Sequence, residues 1–258
     1  MAVKIPIILS IAGFDPSSGA GVTADIKTCA AHGCYGLGAI TALTVQSTQR
    51  VGQIEPVSGR FLRATLDELA SDCDISAVRI GMLATDEAAT VTADFLDRIQ
   101  PKWVVLDPII RSSSGAVLTG EAGIAVLKRR LIPLATVITP NIQEAEELSG
   151  AKGPAAGAHK LREMGARNTV VTGGHLPDNT DFLLTESGGE DRIPGAKVNS
   201  SSTHGTGCAF STAIACNLAL GKSLPDAVRE AKEYVRKAIE AAYPIGKGKG
   251  PLNHFFRL

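Results

Sequence analysis

Apolar runs of strand length alternate with helix-patterned segments along almost the whole chain, and this alternation leaves few folds open. "PIILSIAG" (6–13), "GLGAITALTVQS" (36–47), "AVRIGML" (77–83), "KWVVLD" (102–107), "ATVIT" (135–139) and "NTVVTGG" (168–174) are nearly continuous apolar stretches. Runs of this kind fit strands covered on both faces, as in parallel sheets. Between them, 20–33, 58–73, 86–99, 120–131, 141–150 and 155–165 read as helices, and helices over 206–220 and 223–242 finish the body. Asn141 is placed to cap one of these helices and Gly150 to end it. Repeated strand–helix–strand units imply an α/β fold with a mostly parallel central sheet between two helical layers. The polar and apolar residues of "VGQIEPV" (51–57) alternate, and the short strands near 180–185 and 191–195 are mixed. These segments fit a buried sheet poorly and are expected to form a small flap at one edge.

Bulk properties exclude several functions. A chain of 258 residues can bury a large core as a single domain, 1–258. Its 26 basic and 26 acidic residues leave no polybasic field for nucleic acid or an anionic membrane. No apolar span reaches the ~18 residues of a transmembrane helix. "MAVKIPIILSIAG" runs straight into Asp15-Pro16 and reads as a first strand, not a signal segment. Cysteines at 29, 34, 73, 208 and 216 are an odd set without C-x-x-C spacing, which gives neither a disulfide framework nor a zinc site. Free thiols point to a reducing compartment, the cytoplasm by default.

Ligands of open α/β sheets bind outside the C-terminal ends of the strands. The residues at those ends are polar or glycine: Gly13 and Asp15, Gln46, Gly81-Met82, Asp107-Pro108, Thr139-Pro140-Asn141 with Glu144 one turn on, and Thr172-Gly173-Gly174-His175. "GTGC" (205–208) opens a helix, where backbone amides and the helix dipole favour an anion; a tight turn before a core helix is the other reading. Cys208 in that place is either a thiol of lowered pKa, acting as base or nucleophile, or a small buried residue. Asp107 and Glu144 could hold Mg²⁺ together with substrate phosphates, or serve only as helix cap and solvated side chain. No G-x-x-x-x-G-K-[ST] loop occurs.

Taken together, "AGFDPSSGAGVTADIKT", "ITALTVQST", "IGMLAT", "LDPII", "TPNIQEAEEL", "TGGH", "THGTGCAFSTAIA" and "GKGKGPLNHF" resemble one family across the whole chain. It is the hydroxymethylpyrimidine/phosphomethylpyrimidine kinases of thiamin biosynthesis, within the ribokinase-like superfamily. The resemblance implies a ribokinase-like α/β/α sandwich. It also implies ATP-dependent phosphorylation of 4-amino-5-hydroxymethyl-2-methylpyrimidine to its monophosphate and then its diphosphate. It makes Cys208 the base for the substrate hydroxyl, with the amides of Gly205, Thr206 and Gly207 stabilising the phosphoryl group in flight. The pyrimidine pocket maps onto Gly13, Asp25, Gln46, Met82 and Ile109. Asn141, Thr172, Gly174 and Thr206 fall at the ATP end, and Asp107 and Glu144 at Mg²⁺. A cytoplasmic homodimer, paired through 51–57, is expected, with no nucleic-acid or membrane partner.

Three departures bear on the second phosphorylation. Thr172 stands where the family often has Lys, "IIRSSSG" (109–115) replaces a Met- and Lys-containing segment with Arg111 as the candidate substitute charge, and Phe14 replaces a small polar residue. Pyridoxal kinase of the same fold is the main rival. Further alternatives are a thiol hydrolase or transferase using Cys208 with His204 or His175, and a catalytically silent ligand sensor.

Overall fold

The computed structural model describes residues 5–112, 115–174, 176 and 178–256; His175, Ser113 and Ser114 lie outside them. The chain runs β1 (Ile7–Phe14), α1 (Gly21–Ala31), β2 (Tyr35–Gln46), β3 (Val51–Pro56), α2 (Gly59–Asp72) and β4 (Ile75–Ile80). Then follow α3 (Asp86–Ile99), β5 (Val104–Leu106), α4 (Glu121–Val126), α5 (Ile132–Leu134), β6 (Val137–Ile138), α6 (Ile142–Ser149) and α7 (Pro154–Glu163). β7 (Asn168–Val171), β8 (Asp181–Leu184), β9 (Glu190–Ile193), α8 (Thr206–Ala219) and α9 (Leu224–Glu240) complete it.

Local chemistry sets the element ends. The side chain of Thr85 caps α3 by accepting from the Ala88 amide at 3.1 Å. Asn141 and Glu144 form a reciprocal capping box at the start of α6, which ends on Gly150 in the left-handed conformation. The single helix expected over 120–131 instead continues through a π turn, Leu127–Leu131, into α5. Pro133 has no amide to donate, and the turn before it widens.

Among the described residues the strands form one sheet in the order β3-β2-β1-β4-β5-β6-β7-β8-β9. From β2 to β7 the pairs are parallel; β3, β8 and β9 are added antiparallel. Strand side chains alternate between two cores. Leu9, Ile11, Val78, Ile80, Leu106 and Ile138 pack against the face covered by α2 to α7. Ile8, Ala77, Val105, Val137 and Val170 pack under α8 and α9 on the other. Each fully buried Leu, Ile or Val contributes roughly 1.5–3 kcal/mol, so both faces need their helices.

The expected flap at one edge is corrected in part. β3 does lie alone at one edge, but 180–195 supplies β8 and β9 at the opposite edge. β8 is wholly buried, because Phe182 and Leu184 enter one core and Leu183 the other. Among the described residues, no helix is long and apolar enough to cross a membrane.

The path from β1 through α1 goes to one side, and the return through α2 to β4 goes to the other. The strand order therefore reverses beside β1. A crevice opens outside the strand ends at such a reversal.

Candidate active site

The crevice is an open cleft of about 1940 Å³, running from the β2–β3 edge past the N-terminus of α8 to β9. That exceeds the ~300–1,000 Å³ of a typical single-ligand pocket and leaves room for two ligands. Gly13, Gln46, Met82, Asp107, Ile109, Asn141, Glu144, Thr172, Gly174, Gly205, Thr206, Gly207 and Cys208 all line it.

Two loops interlock at the centre. Asp15 accepts from Ser17 N and Oγ at 2.8 and 2.7 Å, from Ala20 N at 2.9 Å and from His204 Nε2 at 2.8 Å. Burial raises its carboxyl, but the bonds from His204 and Ser17 outweigh this and hold it below the usual range. Gly205 caps α8 with φ +82°, and a Cβ there would lie 1.9 Å from the carbonyl oxygen of Gly19. The backbone of the 15–20 loop can approach the glycine turn this closely only because of that glycine. The first amides of α8 are thus presented to the cleft beside Asp107, whose Oδ2 would lie 3.8 Å from a Cβ on Gly207.

Beneath the turn, Arg79 is the penultimate residue of β4, between the apolar Val78 and Ile80, and is fully buried. It donates to Asp25 Oδ2 at 2.9 Å, to Asp107 Oδ2 at 2.5 Å and to Ser211 Oγ at 3.1 Å. Sequence reasoning missed its role, although a charge inside a buried strand is itself a signal of a partner. Asp25 is the corresponding correction. It is fully buried and does not line the cleft. Its oxygens accept from Ser10 Oγ at 2.5 Å and Thr212 Oγ1 at 2.8 Å as well as from Arg79. It anchors the guanidinium and has no face left for a substrate.

Cys208 is buried, and its thiol is pushed up to about 11. Burial is the main cause; Asp25 and Asp107 add to it, while Arg79 and the Gly21 amide oppose. The lowering expected from the helix N-terminus is therefore overturned by desolvation and two carboxylates. His204 is bonded to Asp15 at 2.8 Å and lies 3.2 Å from Gln46 Nε2, so it belongs to the loop clasp.

Asp107 and Glu144 share the cleft floor. Burial first, and then Asp107, push Glu144 up to about 8, against the amides of Asn141 and Ile110. Burial also raises Asp107, against Arg79. A divalent cation held mainly through phosphate oxygens and water needs only one or two carboxylates of this kind beside it. Among the described residues no larger cluster of His, Cys, Asp or Glu forms a metal site.

At the edge end, Gln46 Oε1 accepts from Thr44 Oγ1 at 3.2 Å. Met82 fills the space that the missing side chain of Gly13 leaves, since a Cβ there would lie 2.3 Å from its Cε. At the far end Thr172 pairs with Asn141 through a backbone bridge. Arg111 lines the cleft, with Nε 3.8 Å from Glu147 Oε2.

A doubly covered parallel sheet, a glycine turn opening a buried helix over its switch point, and a carboxylate pair beside it define a ribokinase-like small-molecule kinase. The model of a family described as phosphomethylpyrimidine kinase matches residues 15–253, and the chain belongs to that family. It is 41% identical to the hydroxymethylpyrimidine/phosphomethylpyrimidine kinase of Rhizobium meliloti, over 97% of each chain. It is equally 41% identical to a thiamine biosynthesis bifunctional protein of Geobacter sulfurreducens, covering 96% of this chain but only 52% of that protein. Among solved structures, an ADP complex of Bacillus subtilis pyridoxal kinase superposes with TM-score 0.89 at 31% identity, covering 97% of this chain and 98% of the other.

Proposed function

We propose that the chain transfers the terminal phosphoryl group of ATP to the hydroxymethyl oxygen of 4-amino-5-hydroxymethyl-2-methylpyrimidine, and then to the resulting monophosphate, for thiamin biosynthesis. The observation that carries this is the order along the cleft. Gln46, Met82 and Ile109, an amide and apolar side chains, stand at or just after the ends of β2, β4 and β5 and mark one end, and Cys208 with the 205–207 turn, opening α8, is taken as the centre. Asn141, Thr172 and Gly174 lie at the other. A flat aminopyrimidine at the first end would present its hydroxymethyl group to Cys208, and ATP at the other would present its terminal phosphate to the turn.

Phosphoryl transfer needs alignment and charge stabilisation more than a strong base, because its transition state is loose. Gly205, Thr206 and Gly207 supply fixed backbone donors for the moving phosphoryl oxygens. The hydroxyl proton leaves late in such a reaction and passes to the sulfur of Cys208. Arg79 favours the thiolate needed for this, and Gly21 donates to it. Asp107 and Glu144 would hold Mg²⁺, which supplies charge neutralisation on the ATP phosphates. Arg111, on the same cleft, is the positive charge we assign to the phosphate of the monophosphate substrate. The protein acts in the cytoplasm, and the exposed Leu43 and Val45 beside edge strand β3 are the surface we assign to a homodimer.

Pyridoxal is the second reading, favoured by the likeness to the Bacillus enzyme. The test is ADP release with purified protein. It should require both ATP and the pyrimidine, and Cys208→Ala should slow it by about 10²–10⁴ while still binding both ligands. A phospho-cysteine trapped on the protein would overturn the base role.

A further inference from the structure

At the far end of the cleft, the chain leaving β7 turns so tightly that a Cβ on Gly173 would lie 1.9 Å from the carbonyl oxygen of Thr180. The Gly173 amide donates to Asp181 Oδ1 at 2.8 Å. The other oxygen of Asp181 is paired with Lys232 Nζ at 2.8 Å. Lys232 comes from α9, and its ammonium also donates to the Asn179 carbonyl at 2.6 Å. The chain after β9 crosses its stem: a Cβ on Gly195 would lie 2.2 Å from Lys232 Cε, and Asn179 Nδ2 donates to the Ala196 carbonyl at 3.2 Å. Lys232, its side chain 13% exposed, therefore joins α9 to Asn179 and to Asp181 of β8, with Gly195 packed on its stem.

This pairing is more than the fold requires. β8 is already held by ladders to β7 and β9. A buried ion pair adds little net stability, because desolvation offsets the attraction. What it does add is a fixed position for the carboxylate that accepts from Gly173. Burial raises the carboxyl of Asp181, and Lys232 and the Gly173 amide pull it back. With the ammonium gone, nothing on α9 would hold the Asp181 carboxylate in place as the acceptor of the Gly173 amide. The next residue, Gly174, lines the cleft, and a Cβ there would meet nothing within 4 Å. Any loosening at Gly173 is passed directly to this open glycine.

We infer that Lys232 is a positioning residue for the nucleotide: through Asp181 it fixes the Gly173–Gly174 turn as a preformed seat for the phosphates of ATP. The inference rests on the proposed placement of ATP at this end of the cleft. It assigns Lys232 no part in binding the pyrimidine.

The test is a double-mutant cycle of Lys232→Met, Asp181→Asn and the pair together. ADP affinity is read by calorimetry, and KM for ATP, KM for the pyrimidine and kcat by steady-state kinetics. Each single change should weaken ADP and raise KM for ATP by about tenfold. KM for the pyrimidine should move by less than about twofold, and the double variant should be no worse than either single one, as expected for two groups acting as one unit. Lys232→Arg should restore part of the ADP affinity, and the neutral double variant guards against a misfolded single variant. ADP affinity unchanged in folded Lys232→Met would overturn the inference. So would additive effects, a loss in Lys232→Met with Asp181→Asn unaffected, or equal losses for both substrates. Wild-type protein that binds no ADP would overturn the placement of ATP itself, a result distinct from intact binding with indifferent variants.

Discussion

Arg79 Nη2 donates to Asp107 Oδ2 across 2.5 Å, while Nη1 of the same guanidinium holds Asp25 at 2.9 Å. A single buried cation thus fixes one carboxylate that faces the cleft and one that does not. Arg79→Met would leave two carboxylates in the same dry site with no counter-charge. The expected loss is about 3–5 kcal/mol, or a fall in Tm of roughly 10 °C at ~2–4 °C per kcal/mol for a chain of this size. Arg79→Lys keeps the charge but lacks the planar fork. It should fold, with kcat down by about a hundredfold from misplaced groups. Thermal melts and initial rates on both variants check this.

Cys208→Ala should lower kcat by about 10²–10⁴ as the proton acceptor is lost. In wild type the rate should climb through alkaline pH, because the thiol is pushed up to about 11. The linked effect on stability has a definite sign. A group raised on folding contributes fully below its ordinary value, near 9 for a thiol, and that contribution fades as pH rises through about 11. A rate profile flat from neutral to alkaline pH would contradict the base role.

Glu144 should make the ligand-free protein less stable as pH rises. Its carboxyl is raised from 4.5 to about 8, so its contribution is complete below 4.5 and lost as pH passes through about 8. Glu144→Gln can still serve the capping box and should remove this part of the slope, at the cost of Mg²⁺-dependent turnover. Denaturant titrations at pH 5, 7 and 9 on the two proteins decide the matter; parallel pH dependences would refute it.

Gly205→Ala should fold less well and turn over poorly. The new Cβ meets the Gly19 carbonyl in a left-handed backbone conformation, so the turn must shift. Losing alignment of even one donor costs about 10²–10³ in kcat. Rates measured on material with wild-type circular dichroism would test the turn separately from the fold.

Much of this was legible in the residues. Asp86–Ile99 forms as its helical pattern predicts, and Asn141 and Gly150 punctuate α6 as read, with Glu144 completing the capping box. The glycine-rich strand exits gather along one cleft because a parallel sheet puts every strand's C-terminus on the same side. What failed depended on depth. Asp25 sits on a helix whose residue pattern does not reveal which of its polar residues turns inward; the partner that draws it in, Arg79, is 54 residues away. The titration of Cys208 was misjudged because burial and the nearby carboxylates Asp25 and Asp107 outweigh the helix terminus and Arg79. Lys232 and Asp181 lie on different elements, joined only by the packing of α9 across the end of the sheet.

The most direct measurement is product analysis by mass after incubation with ATP and Mg²⁺, in separate reactions with hydroxymethylpyrimidine, its monophosphate and pyridoxal. The pyrimidine monophosphate from the first and the diphosphate from the second are expected, the latter with Thr172 in place and Arg111 facing the cleft. Phosphorylation of pyridoxal alone would contradict the account and reassign the Gln46 and Met82 end of the cleft to another ring.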